Sequence, residues 1–379
     1  MKNSKGKKIL NKKTKRKNSQ KETKQNILNS SDEKKKTTAK YMNPENFEFC
    51  KKLSKSYVVD MYPNSFCVFK TIDDKYILIC SEGFSILSYN ILNNQKINEI
   101  TNAHNNSHIS KFRHHLDKKN RRDLLMSISD YDNTIKLWNL KKWECIHTFK
   151  EIYPKNRLYS ACFLNHEKDN NIYIVSSSFA ELTNKKDIYP IKVFDLEGKI
   201  IKDINDSQNK LTMFVDYFYD KKLCKHYILS CNGNYVVSYD FDDNKIYHEY
   251  NAGTVNKINV GSSIAINDRE DVVQLIHSNL SDTKIKIYDF HKGTTLKTIY
   301  GGARVYEVCL WDSEYLFVGN RDDIKLINIK EGKIVKSIAN SNAGGLNYIG
   351  VKLLDHPQYG KCLITQAQYG QISMWCINH

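Results

Sequence analysis

The sequence of 379 residues has no apolar run long enough to cross a bilayer as a helix, and none near residue 1 that would serve as a signal peptide. Its ten cysteines include no Cys-x-x-Cys pair. Most of them sit in apolar, strand-like runs, where a free thiol behaves as a small buried hydrophobe, so a reducing compartment is favoured over a disulfide framework. The patterns G-x-x-x-x-G-K-[ST], G-x-S-x-G, H-E-x-x-H and G-x-G-x-x-G are missing, and no acid/base pair of carboxylates stands out. No catalytic residue, cofactor-binding residue or metal ligand is therefore assigned. Glycine is scarce, at 16 residues, and Asn and Asp fill many turns instead. These absences predict a soluble intracellular protein of cytoplasm or nucleus, not an enzyme and not attached to membrane.

Positive charge is abundant but unevenly placed. Residues 1–40 hold 15 Lys/Arg against 3 Asp/Glu, a balance of +12, which leaves +4 of the total +16 for the other 339 residues. This segment is almost free of bulky apolar side chains, so burial cannot offset its ordering entropy and disorder is expected. Lys12-Lys-Thr-Lys-Arg-Lys17 suits nuclear import or charge-only contact with the phosphates of nucleic acid; a solvated extension without a partner is the alternative. Aromatic residues do not interleave with these lysines, which argues against base stacking. Residues 41–55 read as a linker.

From Ser56 onward, short β-rich runs alternate with Asn, Asp, Gly and Lys turns, and no long helical period appears. The clearest run is Ser127-Ile-Ser-Asp-Tyr-Asp-Asn-Thr-Ile-Lys-Leu-Trp-Asn-Leu140. It reads as a strand, a tight Asp132-Asn133 turn and the strand Thr134–Asn139. Weaker copies end in Tyr89, Phe194, Tyr239, Tyr288, Ile327 and Trp375, mostly followed by Asp or Asn. With Trp138 included, the successive spacings are 49, 56, 45, 49, 39 and 48 residues. Two strands precede each marker strand and one follows it, so the unit has four strands and the repeat fits propeller blades. The long interval holds a polar insertion at Ala180–Tyr189, and the short one reflects tight turns such as Trp311–Glu314. The seventh unit lacks its outer strand, while Ser56–Met61 is a spare strand. Pairing the two would close a ring of seven and remove an open edge.

Asp132-Asn-Thr-Ile-Lys-Leu-Trp138, followed by Asn139, resembles the WD-repeat signature, with Asn in place of its final Asp. Lys-Val-Phe-Asp195 and Lys-Ile-Tyr-Asp289 look like diverged copies. The resemblance covers about residues 56–379 and is sharp in one repeat. It implies an all-β, seven-bladed β-propeller of four-stranded antiparallel blades, closed by an N-terminal strand and preceded by the disordered basic tail. It also implies a network in which Asp132 and Trp138 join a Ser and a His; Ser127 or Ser129, and His104 or His108, are the candidates. Asp132 and Trp138 are thus expected to be structural. The family's habit further implies a non-catalytic scaffold that assembles protein partners, although fold alone does not give function.

On such a ring, the loops leading into the inner strands gather around the mouth of the channel, where rigid scaffolds carry recognition. Aligning the strand starts puts Arg157, Lys210 and Arg304 at one equivalent position, with Tyr159, Tyr306, Thr212, Asn256 and Asn347 just after it. Arg and Tyr are enriched in interface hot spots. The expected protein-binding set is Arg157, Tyr159, Lys210, Arg304, Tyr306 and Asn347. Arg157 and Arg304 would clamp an acidic or phosphorylated segment, and Tyr159 and Tyr306 would anchor it. The propeller would be monomeric within a larger complex. The histidines His104, His108, His114 and His115, and the group Cys224, His226 and Cys231, are read as loop and strand residues rather than a zinc site. A nuclear or ribonucleoprotein-associated propeller, its tail touching nucleic acid, is the alternative function.

Overall fold

The computed structural model describes residues 47–54 and 65–377, apart from residues 151, 154–156, 180–190, 205–213, 232–234, 253–261, 280–282, 303, 322, 340–349 and 368–371. The expected disordered tail at 1–40 and the insertion Ala180–Tyr189 lie outside the described residues. Two compact units divide the chain, residues 1–48 with 377–379 and residues 49–376. The second forms the ring.

Seven four-stranded antiparallel sheets make a propeller, and no helix occurs among the described residues. The inner strands of blades 1 to 7 are Phe66–Lys70, Lys111–Asp117, Arg157–His166, Phe214–Asp220, Ser262–Asp268, Val305–Leu310 and Gly350–His356. In blades 1 to 6 the strands follow in chain order from the axis outward. Blade 7 takes its outer strand from Phe47–Ser54, which pairs with Ile372–Ile377. Closure by an N-terminal strand is therefore present, but with a different segment from the one expected. Ser56–Met61 lies outside the described residues, and part of the span read as a linker, 41–55, supplies the strand. An outer edge strand tolerates charge, so Lys51 and Lys52 masked the alternation begun by Phe47 and Phe49.

The sequence markers correspond to a repeated backbone event. In each of blades 1 to 6 the ladder between third and outer strand shifts register at one step, immediately before the marker: Ser88/Tyr89, Leu137/Trp138, Val193/Phe194, Ser238/Tyr239, Ile287/Tyr288 and Leu326/Ile327. Such a bulge adds local twist to the strand. The Asp or Asn after the marker has its own role. Its carboxylate or amide oxygen accepts backbone N–H groups of the following turn: Leu92 to Asn90 at 2.9 Å, Lys141 to Asn139 at 3.1 Å, His291 to Asp289 at 3.1 Å and Glu331 to Asn328 at 2.8 Å. Each of these turns ends at a residue with positive φ, which is Gly198, Gly293 or Gly332 in three blades but Asn94 or Asn244 in two. Asn tolerates this region best after Gly, which is how the chain manages with little glycine. Trp143 occupies the position in blade 2 at φ 57.

Packing between blades holds the ring together. The apolar clusters each join two neighbours: Leu137, Leu158 and Phe194 link blades 2 and 3, and Val215, Ile228 and Val193 link blades 3 and 4. Burying each such side chain contributes roughly 1.5–3 kcal/mol. Lysine ammonium groups add tethers, since Lys136 and Lys192, two residues before their markers, donate to the carbonyls of Ala103 (2.6 Å) and Ile152 (3.0 Å) in the preceding loops. Blades 7 and 1 meet through Phe66, Leu78, Leu354 and Met374, and through a two-way bond between Ser65 and Gln366.

Candidate protein-binding site

The sharpest sequence motif lies inside blade 2. Trp138 Nε1 donates to Ser127 Oγ at 2.8 Å, and Ser127 Oγ is 2.7 Å from His104 Nε2. On the other side of the ring, His104 Nδ1 is 3.1 Å from Asp132 Oδ2 and 3.0 Å from Thr134 Oγ1. These contacts assign one tautomer: Nδ1–H donates to Asp132, and Nε2 accepts from the serine hydroxyl. Burial pushes the His104 imidazole below its ordinary pKa, against the pull of Asp132. Burial also opposes ionisation of Asp132, but hydrogen bonds from His104 and Thr134 outweigh it and hold the carboxyl low. Of the alternatives open in the sequence, Ser127 and His104 complete the set. A Ser–His–Asp order is the arrangement of a nucleophilic triad. Here Ser127 and His104 are fully buried, and the hydroxyl already receives the indole N–H. The set ties the blade and offers no nucleophile to a substrate.

The other blades carry fragments of this network. In blade 7, Trp375 Nε1 donates to Thr365 Oγ1 at 2.9 Å, the same register relation. In blade 3 the loop residue Tyr153 replaces the histidine, with its hydroxyl 2.9 Å from the Ser176 carbonyl and 3.0 Å from its Oγ. In blades 5 and 6 the equivalent second-strand residues are His277 and Val318.

Antiparallel strands put the inlet loops and the turns between second and third strands on one side of the ring, here called the mouth face. Arg157 and Arg304 lie there, both exposed, at the first residue of the blade 3 inner strand and just before that of blade 6. Arg304 has positive φ, at 50°. Arg321 is exposed in the blade 6 turn on the same side. Tyr159 and Tyr306 also occupy equivalent positions, each at a register shift of the inner strand, between Leu158/Ser160 and Val305/Glu307. They are buried, with 9% and 3% of their surface exposed. The bulges turn these rings inward, so neither tyrosine stands on the rim as an anchor. Lys210, Thr212, Asn256 and Asn347 lie outside the described residues.

Sequence reasoning missed the aromatic group that the mouth face does expose. Phe84 is 38% exposed and Tyr131 is 56% exposed, in the second turns of blades 1 and 2. The His108 ring stands between them, 5.0 Å from Phe84 and 6.0 Å from Tyr131. The available signal was an aromatic beside a turn, at Gly83-Phe84 and Tyr131-Asp132, where strand formation does not call for one. The other histidines go to separate places. His114 stacks on Phe69 and bonds Asp123 at 2.8 Å, while His115 packs on Phe163. His226 meets the Tyr217 hydroxyl at 2.9 Å.

Behind the rim, inner strands of several blades converge. Lys111 Nζ lies 4.4 Å from the Tyr159 ring centroid and 5.7 Å from that of Phe214, and Arg113 Cζ lies 5.9 Å from Phe214. Residues of blades 2 and 4 meet in this way only across the axis. Further round, Glu307 pairs with Lys352 and accepts the Val351 N–H at 2.7 Å. On the opposite face, a cavity of about 300 Å³ between blades 2 and 3 is lined by Asp117, Arg122, Tyr173, Asp195 and Glu197. Arg122 is already held by Asp117 at 2.8 Å.

A solved structure of the same architecture supplies the comparison. The crystal structure of BBS1N in complex with ARL6DN, soaked with mercury, superposes with a TM-score of 0.61. The match covers 88% of this chain and 97% of that one, at 8% identity. The likeness is one of fold. No family model matches the sequence, and no curated protein matches it. No helix among the described residues is long and apolar enough to cross a membrane.

Proposed function

We propose that this chain is a non-catalytic scaffold of WD-repeat type that assembles protein partners on its mouth face, with an acidic or phosphorylated segment as the ligand for its rim. The observation that carries the reading is the gathering of exposed Arg157, Arg304, Arg321, Phe84 and Tyr131 on one side of the ring. Arginine and large aromatics dominate binding hot spots, and guanidinium groups pair with carboxylate or phosphate in two-pronged fashion. The network of Trp138, Ser127, His104 and Asp132 supports the WD-repeat assignment, and its burial supports a structural rather than catalytic role. The propeller to which the fold is similar, BBS1N, was crystallised in complex with another protein, ARL6DN. Proximity labelling in the native cell gives the partner set. Arg157→Glu with Arg304→Glu should cost about 2 kcal/mol or more of binding and deplete that set. Unchanged recovery from this variant would sink the proposal.

The +12 balance of residues 1–40 favours a second reading, a nuclear or ribonucleoprotein role in which the tail touches nucleic acid. Deleting residues 1–40 should then alter location and remove salt-dependent RNA or DNA binding. No binding by the full chain, and no change in location, would rule it out.

A further inference from the structure

We infer that Lys111 and Arg113 form an oxyanion-binding site in the channel, just behind the mouth face, that takes a phosphate-like or carboxylate group of a bound protein segment. The two residues alternate along one strand, so both project to the same side, towards the axis. Lys111 is 5% exposed, yet its ammonium has no hydrogen-bond or ion-pair partner among the described residues. Its neighbours are two aromatic rings, Tyr159 and Phe214. Arg113 makes a 3.5 Å contact with its neighbour's carbonyl, Phe112 O, and the Asp216 carboxyl of the blade 4 inner strand acts on it electrostatically. The basic group nearest in kind, Lys352, is by contrast paired with Glu307.

A buried ammonium without a hydrogen-bonded partner costs stability and persists where something compensates it. Lys111 and the half-buried Arg113, two residues apart on the strand, present two cationic groups on one side of it, where oxygens of one anion can meet both. The aromatic faces supply cation–π attraction while leaving the N–H donors unsatisfied. Burial drives the Lys111 pKa down to about 7, with Arg113 acting in the same direction and Asp130, Cys231 and Glu307 acting against it. An anion seated between Lys111 and Arg113 would restore the charged amine, so binding should tighten as pH falls from about 8 to about 6. This site stands on strand residues and does not depend on the rim arginines.

The test uses the full chain with sodium sulfate, whose charge is constant over this pH range, against sodium chloride of equal ionic strength. Sulfate should raise the Tm of the wild type more than that of K111M/R113M, and the site should weaken about tenfold or more in the variant. K111R should keep the response. Without anion, K111M should raise Tm by about 2 °C or more, because it removes a buried ammonium that no hydrogen bond satisfies. Equal sulfate responses in wild type and K111M/R113M, or a Tm lowered by K111M, overturn the inference. A peptide array carrying phosphoserine, aspartate or serine at one position identifies the source. Capture of the anionic peptides, lost in K111M/R113M, assigns the anion to a partner; a sulfate response without peptide capture assigns a free anion and overturns the partner-borne form. R157E/R304E in the same array separates the two readings, since loss there alone leaves the rim reading standing and removes this one.

Discussion

In blade 2 the third strand ends in Trp138, whose indole N–H enters a chain of Ser127, His104 and Asp132. In blade 6 the same place is held by Ile327, opposite Leu316 and near Val318, all fully buried. Both blades have the same four strands, the same bulge before the marker and the same Asx-capped turn. One position is therefore stabilised by buried polar bonds in one blade and by apolar contact in the other. A satisfied hydrogen bond adds only about 0.5–1.5 kcal/mol net, comparable with a few methylenes of burial. The repeat fixes the backbone, and within it the interior is free to change chemistry.

The largest test removes the marker itself. Trp138→Ala should cost about 3–5 kcal/mol, since it opens a cavity and strips Ser127 of its donor, while Ile327→Ala should cost about 2–5 kcal/mol by cavity alone. Denaturant unfolding measures both, and a loss below about 1 kcal/mol for Trp138→Ala would break the comparison. Next in size come exchanges between the two chemistries. Ser127→Val and Val318→Ser should each cost about 1–3 kcal/mol, the first by leaving the indole N–H and His104 Nε2 unpaired, the second by burying an unpartnered hydroxyl. Neutral behaviour of either would mean that the interiors are interchangeable one residue at a time.

A further test depends on pH and compares the bonded His104 with His277, which in blade 5 holds the position of Ser127. Burial, helped by Lys286, pushes His277 down to about 3, and its Nε2 has no hydrogen-bond partner among the described residues. A base whose pKa is lowered by folding binds protons better when unfolded, so stability falls as pH drops from about 6.5 towards 3. His277→Ser should flatten that limb of the stability curve. If the curve between these pH values is unchanged, His277 is not the group being titrated.

The fold was legible because its spacing recurs along the chain. Tyr89, Trp138, Phe194, Tyr239, Tyr288, Ile327 and Trp375 mark a position set by backbone geometry, whatever their own chemistry. The closing strand was misplaced because Phe47–Ser54 pairs at an edge, where burial leaves a weak pattern. The candidate site was less legible. Strand alignment brought Arg157 and Arg304 to one exposed position, but could not show that the bulges at Tyr159 and Tyr306 turn those rings inward. Nothing in the sequence singles out Lys111 and Arg113. Only closure of the ring sets them against Phe214, two blades away.

That closure also dictates an order of events. Ser65 and Gln366 bond across 301 residues of sequence. The strand Phe47–Ser54 must wait for Ile372–Ile377 before it has its partner. During synthesis six blades can mature by local hairpins, while this early segment stays unpaired until the last blade emerges. Contacts of such long range form slowly, because the loop between them must be closed first. The final sealing of the ring is thus the step at which a growing chain is most exposed to wrong pairing at a sheet edge, and the step that a chaperone would have most reason to guard.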